Sequence, residues 1–217
     1  MRLPIGDAGG PLGNMFSQEC RSVNEARYSV TWKKNGKLLV AKQPSDAELA
    51  EHAQRLADWY GDEYNRYMMA GTESLHAQDV IDFWAELRAQ GGQAFLLYVD
   101  GQLVGDADLR HIETDRAEFA IMIGARDTQG QGLGTLLSVL IHAFAFETLK
   151  LSAVYLTIVP HNEPGRRCYE KVGYVRDDGP LARGYAEADD DIAMRITKDA
   201  LFARHPLALT EIVISRN

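Results

Sequence analysis

Residues 118–135, EFAIMIGARDTQGQGLGT, hold the side-chain types and spacing best suited to chemistry. An apolar run ends at Gly124 and a short polar loop follows. Gln129-Gly130-Gln131-Gly132-Leu133-Gly134 then opens an apolar series at helical spacing: Leu133, Leu137, Leu140, Ile141 and Phe144. Glycines at 130, 132 and 134 let a ligand approach the backbone, because no Cβ stands in the way. First-turn N–H groups of a helix lack partners inside it. With the helix dipole they suit an anion such as a pyrophosphate. Three phosphate-binding patterns compete here. A P-loop ends in Gly-Lys-Ser/Thr, and this loop has no lysine. A dinucleotide fingerprint needs GxGxxG and an acidic residue about 20 positions on, at the next strand's end. Here the spacing is GxGxG, and Glu147 falls inside the following helix. The third pattern, Gln/Arg-x-x-Gly-x-Gly/Ala, is met by Gln129, Gly132 and Gly134.

The elements that must position this loop are legible around it. Residues 29–42 form two β-type runs about Asn35-Gly36, a pair that favours a type I′ hairpin. Ser45 and Glu48 have capping-box spacing, and Leu49, Ala53, Leu56, Tyr60, Tyr64 and Tyr67 follow at helical intervals, which predicts one helix over 46–69. Val80, Ile81, Trp84 and Leu87 mark a second helix, stopped at Gly91-Gly92. Strand-like segments at 93–100, 102–112 and 116–124 read as an antiparallel meander. An amphipathic helix is expected over 132–149, a strand over 153–160, and a short helix over 164–172 between Pro164 and Gly173. Further strands are expected near 174–177, 190–197 and 209–215. The order implies one α/β (α+β) domain around a mixed sheet over residues 29–217, behind an irregular Gly- and Pro-punctuated lead-in at 1–28.

The glycine loop is followed at a distance by AVYLTIVPHNEPGRRCYEKVGYV, in which Asn162, Tyr169 and Lys171-x-Gly173-Tyr174 are spaced as N-x-x-A-x-x-x-Y-x-K-x-G-F, with Gly165 for Ala and Tyr174 for Phe. Both motifs in this order resemble the GNAT superfamily of N-acetyltransferases, of the ribosomal-protein or small-amine type. The resemblance covers about 93–175, is extended by the helices at 46–90, and includes DIAMRI at 191–196. It implies a mostly antiparallel sheet with a V-shaped cleft between strands 116–124 and 153–160. It implies acetyl-CoA as cosubstrate, its pantetheine arm on the strand edge at Met122, Ile123 and Gly124. The pyrophosphate would lie on Gln129, Gly130, Gln131, Gly132, Leu133, Gly134 and Thr135, with Asn162 on the far side of the arm. A backbone N–H near Met122 would receive the oxyanion. Tyr169 matches the general acid that protonates the departing sulfur. Glu118, on the strand entering the cleft, is the candidate base.

Other titratable groups compete less well. His111 is one further candidate, His142 lies within the helix after the loop, His161 stands beside Asn162, and Cys168 faces away from Tyr169's side of its helix. No His/Cys/Asp/Glu cluster has metal-ligand spacing, so no metal is expected. Trp59, Tyr60, Tyr64, Tyr67 and Trp84, with the segment 177–191, are candidates to shape the acceptor site. Lys plus Arg number 23 against 31 Asp plus Glu, a net charge of -8, which argues against nucleic acid or an anionic membrane as partner. Hydrophobic residues are 46%, no apolar run reaches membrane length, and residues 1–16 lack a secretory apolar core. Only Cys20 and Cys168 are cysteines, and the expectation is a cytoplasmic enzyme for a primary-amine acceptor. A CoA-binding regulatory module without turnover is the alternative. A homodimer is expected if the tail strand 209–215 pairs with a second chain.

Overall fold

The computed structural model describes residues 27–69, 71 and 75–216; residues 1–26 of the lead-in, with Cys20, lie outside them, and Tyr28 belongs to the first strand. The chain opens with β1 (Tyr28–Lys34) and β2 (Lys37–Lys42), joined at Asn35 and Gly36 with φ of 52° and 75°. Positive φ at both central residues is the type I′ turn that the Asn-Gly pair predicts. Next come α1 (Asp46–Gly61), α2 (Glu63–Met68) and α3 (Ala77–Ala89). The single helix expected over 46–69 is therefore two. Asp62 breaks it: its backbone is extended, and its carboxylate accepts the Asn65 N–H at 3.0 Å, capping α2. Gly61, a weak helix former, marks the break. The capping box at Ser45 is half formed. Ser45 Oγ accepts the Glu48 N–H, while the Glu48 carboxylate turns to Lys42 and Tyr98.

The meander is β3 (Gln93–Val99), β4 (Gln102–Arg110) and β5 (Arg116–Ile123), followed by α4 (Leu133–Glu147), β6 (Ala153–Ile158) and α5 (Glu163–Val172). β7 (Val175–Arg176), α6 (Pro180–Arg183), β8 (Ile192–Thr197), α7 (Lys198–Arg204), α8 (Ala208–Glu211) and β9 (Val213–Arg216) complete it. The sheet order is β7-β8-β6-β5-β4-β3-β2-β1-β9, with β5–β6 the one parallel pair among the described residues. β3 shows how its faces divide. Phe95, Leu97 and Val99 join the core around α4, while Ala94 and Leu96 join the core under α1 and α3. The expected amphipathic helix at 132–149 is instead buried around its circumference from Leu137 to Phe146, lying under sheet, α5, α7 and α8. The tail differs too. Residues 208–211 are helical, and β9 pairs antiparallel with β1 of the same chain, Tyr28 opposite Arg216. The pairing surface offered for a second copy is thus used internally on that side. Among the described residues no helix is long and apolar enough to cross a membrane.

Candidate active site

β5 and β6 are paired only from Arg116 to Glu118 against Ala153 to Tyr155; beyond that they diverge. The V-shaped cleft opens there. Gly124 N–H bonds Val104 O at 2.9 Å, and antiparallel ladders alternate, so Met122, Ala120 and Glu118 also turn their backbone groups toward β4. Ile121 and Ile123 turn theirs into the cleft. This corrects the expected edge: the amides of Met122 and Gly124 are spent inside the sheet. Gly124 also lies outside the cleft, packed so closely on Trp59 that a Cβ would stand 2.3 Å from the indole. Gly105, opposite Ile123, lets β5 come close, since a Cβ there would meet Met122 O at 1.9 Å.

The glycine loop closes one arm of the V, a cavity of about 480 Å³ lined by Ile121, Ile123, Gly130, Gly132, Gly134 and Thr135, among others. Gly130 and Gly132 have φ of 73° and 78°, the left-handed region that favours glycine. Gly132 is the N-cap of α4, so the first-turn amides of Leu133, Gly134 and Thr135 are not consumed by the helix. A Cβ on Gly134 would sit 3.2 Å from Cys168 Sγ, so glycine lets α4 and α5 pack closely beside the cavity. Arg167 and Lys171 of α5 line the same space and bring positive charge. These features fit a pyrophosphate with a thin arm extending from it. Gln129 lines the cavity, but its amide N–H groups are given to Ile123 O at 2.6 Å and Asn65 Oδ1 at 3.0 Å. It braces the loop. Gln131 lies outside the cavity, donating to Asp127 O.

A second cavity of about 240 Å³ occupies the other arm, and Met68, Met69, Ile121, Asn162 and Tyr169 line both. Tyr169 therefore stands at the junction. Its ring is wedged against Phe119 and Tyr174, its hydroxyl makes no hydrogen bond to the described residues, and burial pushes its pKa up. It stays protonated across the physiological range, as an acid must. Asn162 is occupied by the protein: Oδ1 accepts Gly165 N–H at 2.8 Å, capping α5, and Nδ2 donates to Met68 O at 2.8 Å. His161 donates Nε2–H to Tyr67 O at 2.7 Å and stacks on the Tyr67 ring. The end of α2 is thus strapped across the cleft.

Glu118 lines the second cavity at the paired end of the V. Burial raises its pKa, against lowering by Arg110 and His111. Arg110 is held by Asp108 through two bonds of 2.7 Å. Glu187, Asp190 and Asp191 form an acidic rim opposite. His142 is buried away from the cleft. It bonds Ser138 O at 2.7 Å through Nδ1, so Nε2 accepts the Tyr174 hydroxyl at 2.6 Å, and burial lowers its pKa to about 4. Cys168 Sγ lies 3.4 Å from Thr135 Oγ1, and burial raises its pKa, which keeps it a thiol. Among the described residues no group of His, Cys, Asp and Glu could hold a metal ion.

A family model described as an acetyltransferase (GNAT) domain matches residues 45–175. The chain belongs to the GNAT acetyltransferase family. It is an acetyl-CoA-dependent N-acetyltransferase. Over 144 residues the enzyme is 28% identical to the Bacillus subtilis (strain 168) protein named "Putative ribosomal N-acetyltransferase YdaF", covering 62% of this chain and 75% of that one. Its fold resembles Mycobacterium smegmatis RimJ in complex with CoA-disulfide, with a TM-score of 0.65, 18% identity, and coverage of 88% and 97% of the two chains. It also resembles spermidine N-acetyltransferase from Vibrio cholerae in complex with CoA and spermine, with a TM-score of 0.60, 20% identity, and coverage of 76% and 98%.

Sequence reasoning missed several residues of this acetyltransferase's cleft. Asn65 is 4% exposed and ties Trp59 O, Gly124 O and Gln129 together, so α1, β5 and the glycine loop meet on one side chain. Met68 and Met69 roof the junction. Arg126, just before the loop, reaches Asp62 at 3.0 Å and lies over the Tyr64 ring. The one local signal was Gly61-Asp62, a stop followed by a cap, which starts α2 and so places all of these.

Proposed function

We propose that the acetyltransferase moves the acetyl group of acetyl-CoA to a primary amine, of a small molecule or a protein N-terminus, by direct attack on the thioester. The observation that carries this is the Tyr169 hydroxyl, unbonded and protonated where the two cavities join. The larger cavity takes the CoA arm and diphosphate, on the cleft-facing groups of Ile121 and Ile123 and the amides of 133–135. The smaller takes the amine. Glu118, directly or through water, removes the proton an ammonium must lose before it can attack. An N–H of the β5 edge polarises the carbonyl and receives the developing oxyanion. Tyr169 then gives its proton to the departing sulfur. The acidic rim of Glu187, Asp190 and Asp191 suits a cationic amine by charge. We assign this activity to residues 29–217 and place the enzyme in the cytoplasm. A module that bound CoA without turnover would have no need of an unbonded tyrosine hydroxyl at this junction.

The test is calorimetric titration with acetyl-CoA, with ATP and NAD as controls. Release of CoA thiol is then followed with spermidine, kanamycin and a heptapeptide with a free α-amine. Micromolar binding of acetyl-CoA alone, with amine-dependent thiol release, is expected. Absence of binding sinks the reading.

A further inference from the structure

The base assigned to Glu118 is 16% exposed in its side chain, and burial opposes the charge it must carry before it can accept a proton. The hairpin between β4 and β5 supplies a partner for that charge. Arg110 is opposite Glu118 in the ladder, which brings the next residue, His111, within reach of the Glu118 carboxylate. Its Nδ1 lies 2.8 Å from Glu118 Oε2, and its side chain is 61% exposed. His111 has a φ of 47°, and the Tyr185 ring lies near its imidazole at 26° to it, with centroids 6.3 Å apart.

We propose that His111 is a positioning residue for the acetyl transfer: its Nδ1–H donates to Glu118 Oε2 and holds the carboxylate ready for the amine's proton. This rests on the reading of Glu118 as the base. The proton leaves the ammonium for the Glu118 carboxylate. A hydrogen bond to the ionised carboxylate favours its charged form against the burial that opposes it. The surrounding charges leave His111 alone in that part. On β4, Arg110 and Asp108 are locked to each other. Arg116 on β5 is held by Glu113 and Asp115. Glu187, Asp190 and Asp191 stand on the rim loop, where the Asp191 carboxylate accepts the Glu187 and Ala188 N–H groups. His111 bonds Glu118 directly.

The experiment compares the parent enzyme with His111→Asn and Glu118→Gln. Asparagine tolerates the left-handed backbone at 111, so the fold is spared while the imidazole is lost. The Glu118 carboxyl is titrated by carbon NMR, assigned by its loss in Glu118→Gln. Turnover is followed from about pH 5.5 to 9 with acetyl-CoA and the best acceptor among spermidine, kanamycin and the heptapeptide. In His111→Asn the Glu118 midpoint and the acid limb of kcat/KM should both move to higher pH. The kcat should fall about 10-fold with KM for acetyl-CoA unchanged. Added imidazole should restore kcat in His111→Asn and do nothing for Glu118→Gln. If the midpoint and the acid limb stay at the parental values, or imidazole rescues nothing, the proposal is overturned. If instead Glu118→Gln turns over like the parent, the base reading itself fails, whatever His111 does.

Discussion

In the proposed mechanism Tyr169 and Glu118 divide the chemistry because their surroundings push them to opposite ends of the proton transfer. Tyr169 is walled in by Phe119 and Tyr174 and remains a proton donor. Glu118 is raised by burial yet held down by Arg110 and His111, so it can ionise and still accept. Tyr169→Phe should lower kcat by about 10²-fold while acetyl-CoA affinity, read by calorimetry, stays put, because the hydroxyl acts on the departing sulfur. Parental turnover in that variant removes Tyr169 from the mechanism. Tyr169 was legible in the sequence, since its spacing from Asn162 and Gly173 belongs to one local helix. The partners of Glu118 were not. Arg110 and His111 reach it through the register of β4 on β5, which no local pattern specifies.

At the scale of elements, the site depends on how α2 meets the β6–α5 connection. The last carbonyls of a helix have no partner inside it. Here those of Tyr67 and Met68 are satisfied across the cleft by His161 and Asn162. That contact sets Met68 and Met69 over the junction of the two cavities. Asn162 works at both ends, as N-cap of α5 and as the tie to α2. Asn162→Asp should separate these. The aspartate still caps α5, so the melting temperature should hold near the parental value. The tie to Met68 is lost, so KM should rise for both substrates. Asn162→Ala should lose the cap as well, at about 1 kcal/mol in unfolding free energy. A rise in KM for acetyl-CoA alone in Asn162→Asp would instead make Asn162 a direct ligand of the CoA arm.

At the scale of the whole molecule, one buried acid makes stability depend on pH. Asp106 on β4 is 3% exposed, accepts the Tyr60 hydroxyl of α1 at 2.6 Å, and leaves its other oxygen without a partner among the described residues. Burial, with Asp108 nearby, raises its pKa to about 7. Its unfolded value is near 3.9. Between those pH values the folded chain holds a proton that the unfolded chain has released, so stability falls as pH rises from about 4 to about 7. Each unit is worth about 1.4 kcal/mol. Asp106→Asn keeps an oxygen for Tyr60 and carries no charge. Thermal unfolding should show the parent losing stability from pH 5 to 8 and the variant losing less, ending more stable at pH 8. Parallel curves for the two proteins contradict this account.

The sequence by itself determined what is local. Asn35-Gly36 set the first hairpin, the glycines at 130, 132 and 134 set the exposed helix terminus, and Pro164 to Gly173 bounded α5. Each follows from backbone freedom, caps and periodicity over a few residues. Together with the spacing of Asn162, Tyr169 and Gly173 they were enough to point to the acetyltransferase family. The tertiary structure decided what depends on register and on contacts between distant segments. The ladder between β4 and β5 turned the amides of Ile121 and Ile123, rather than those of Met122 and Gly124, into the cleft. Packing drew the side chains of Gln129 and Asn162 into braces, because buried amides take the nearest partners and here those belonged to the protein. β9 went to β1 of its own chain, since a strand tethered close by meets an open edge more readily than a second molecule does.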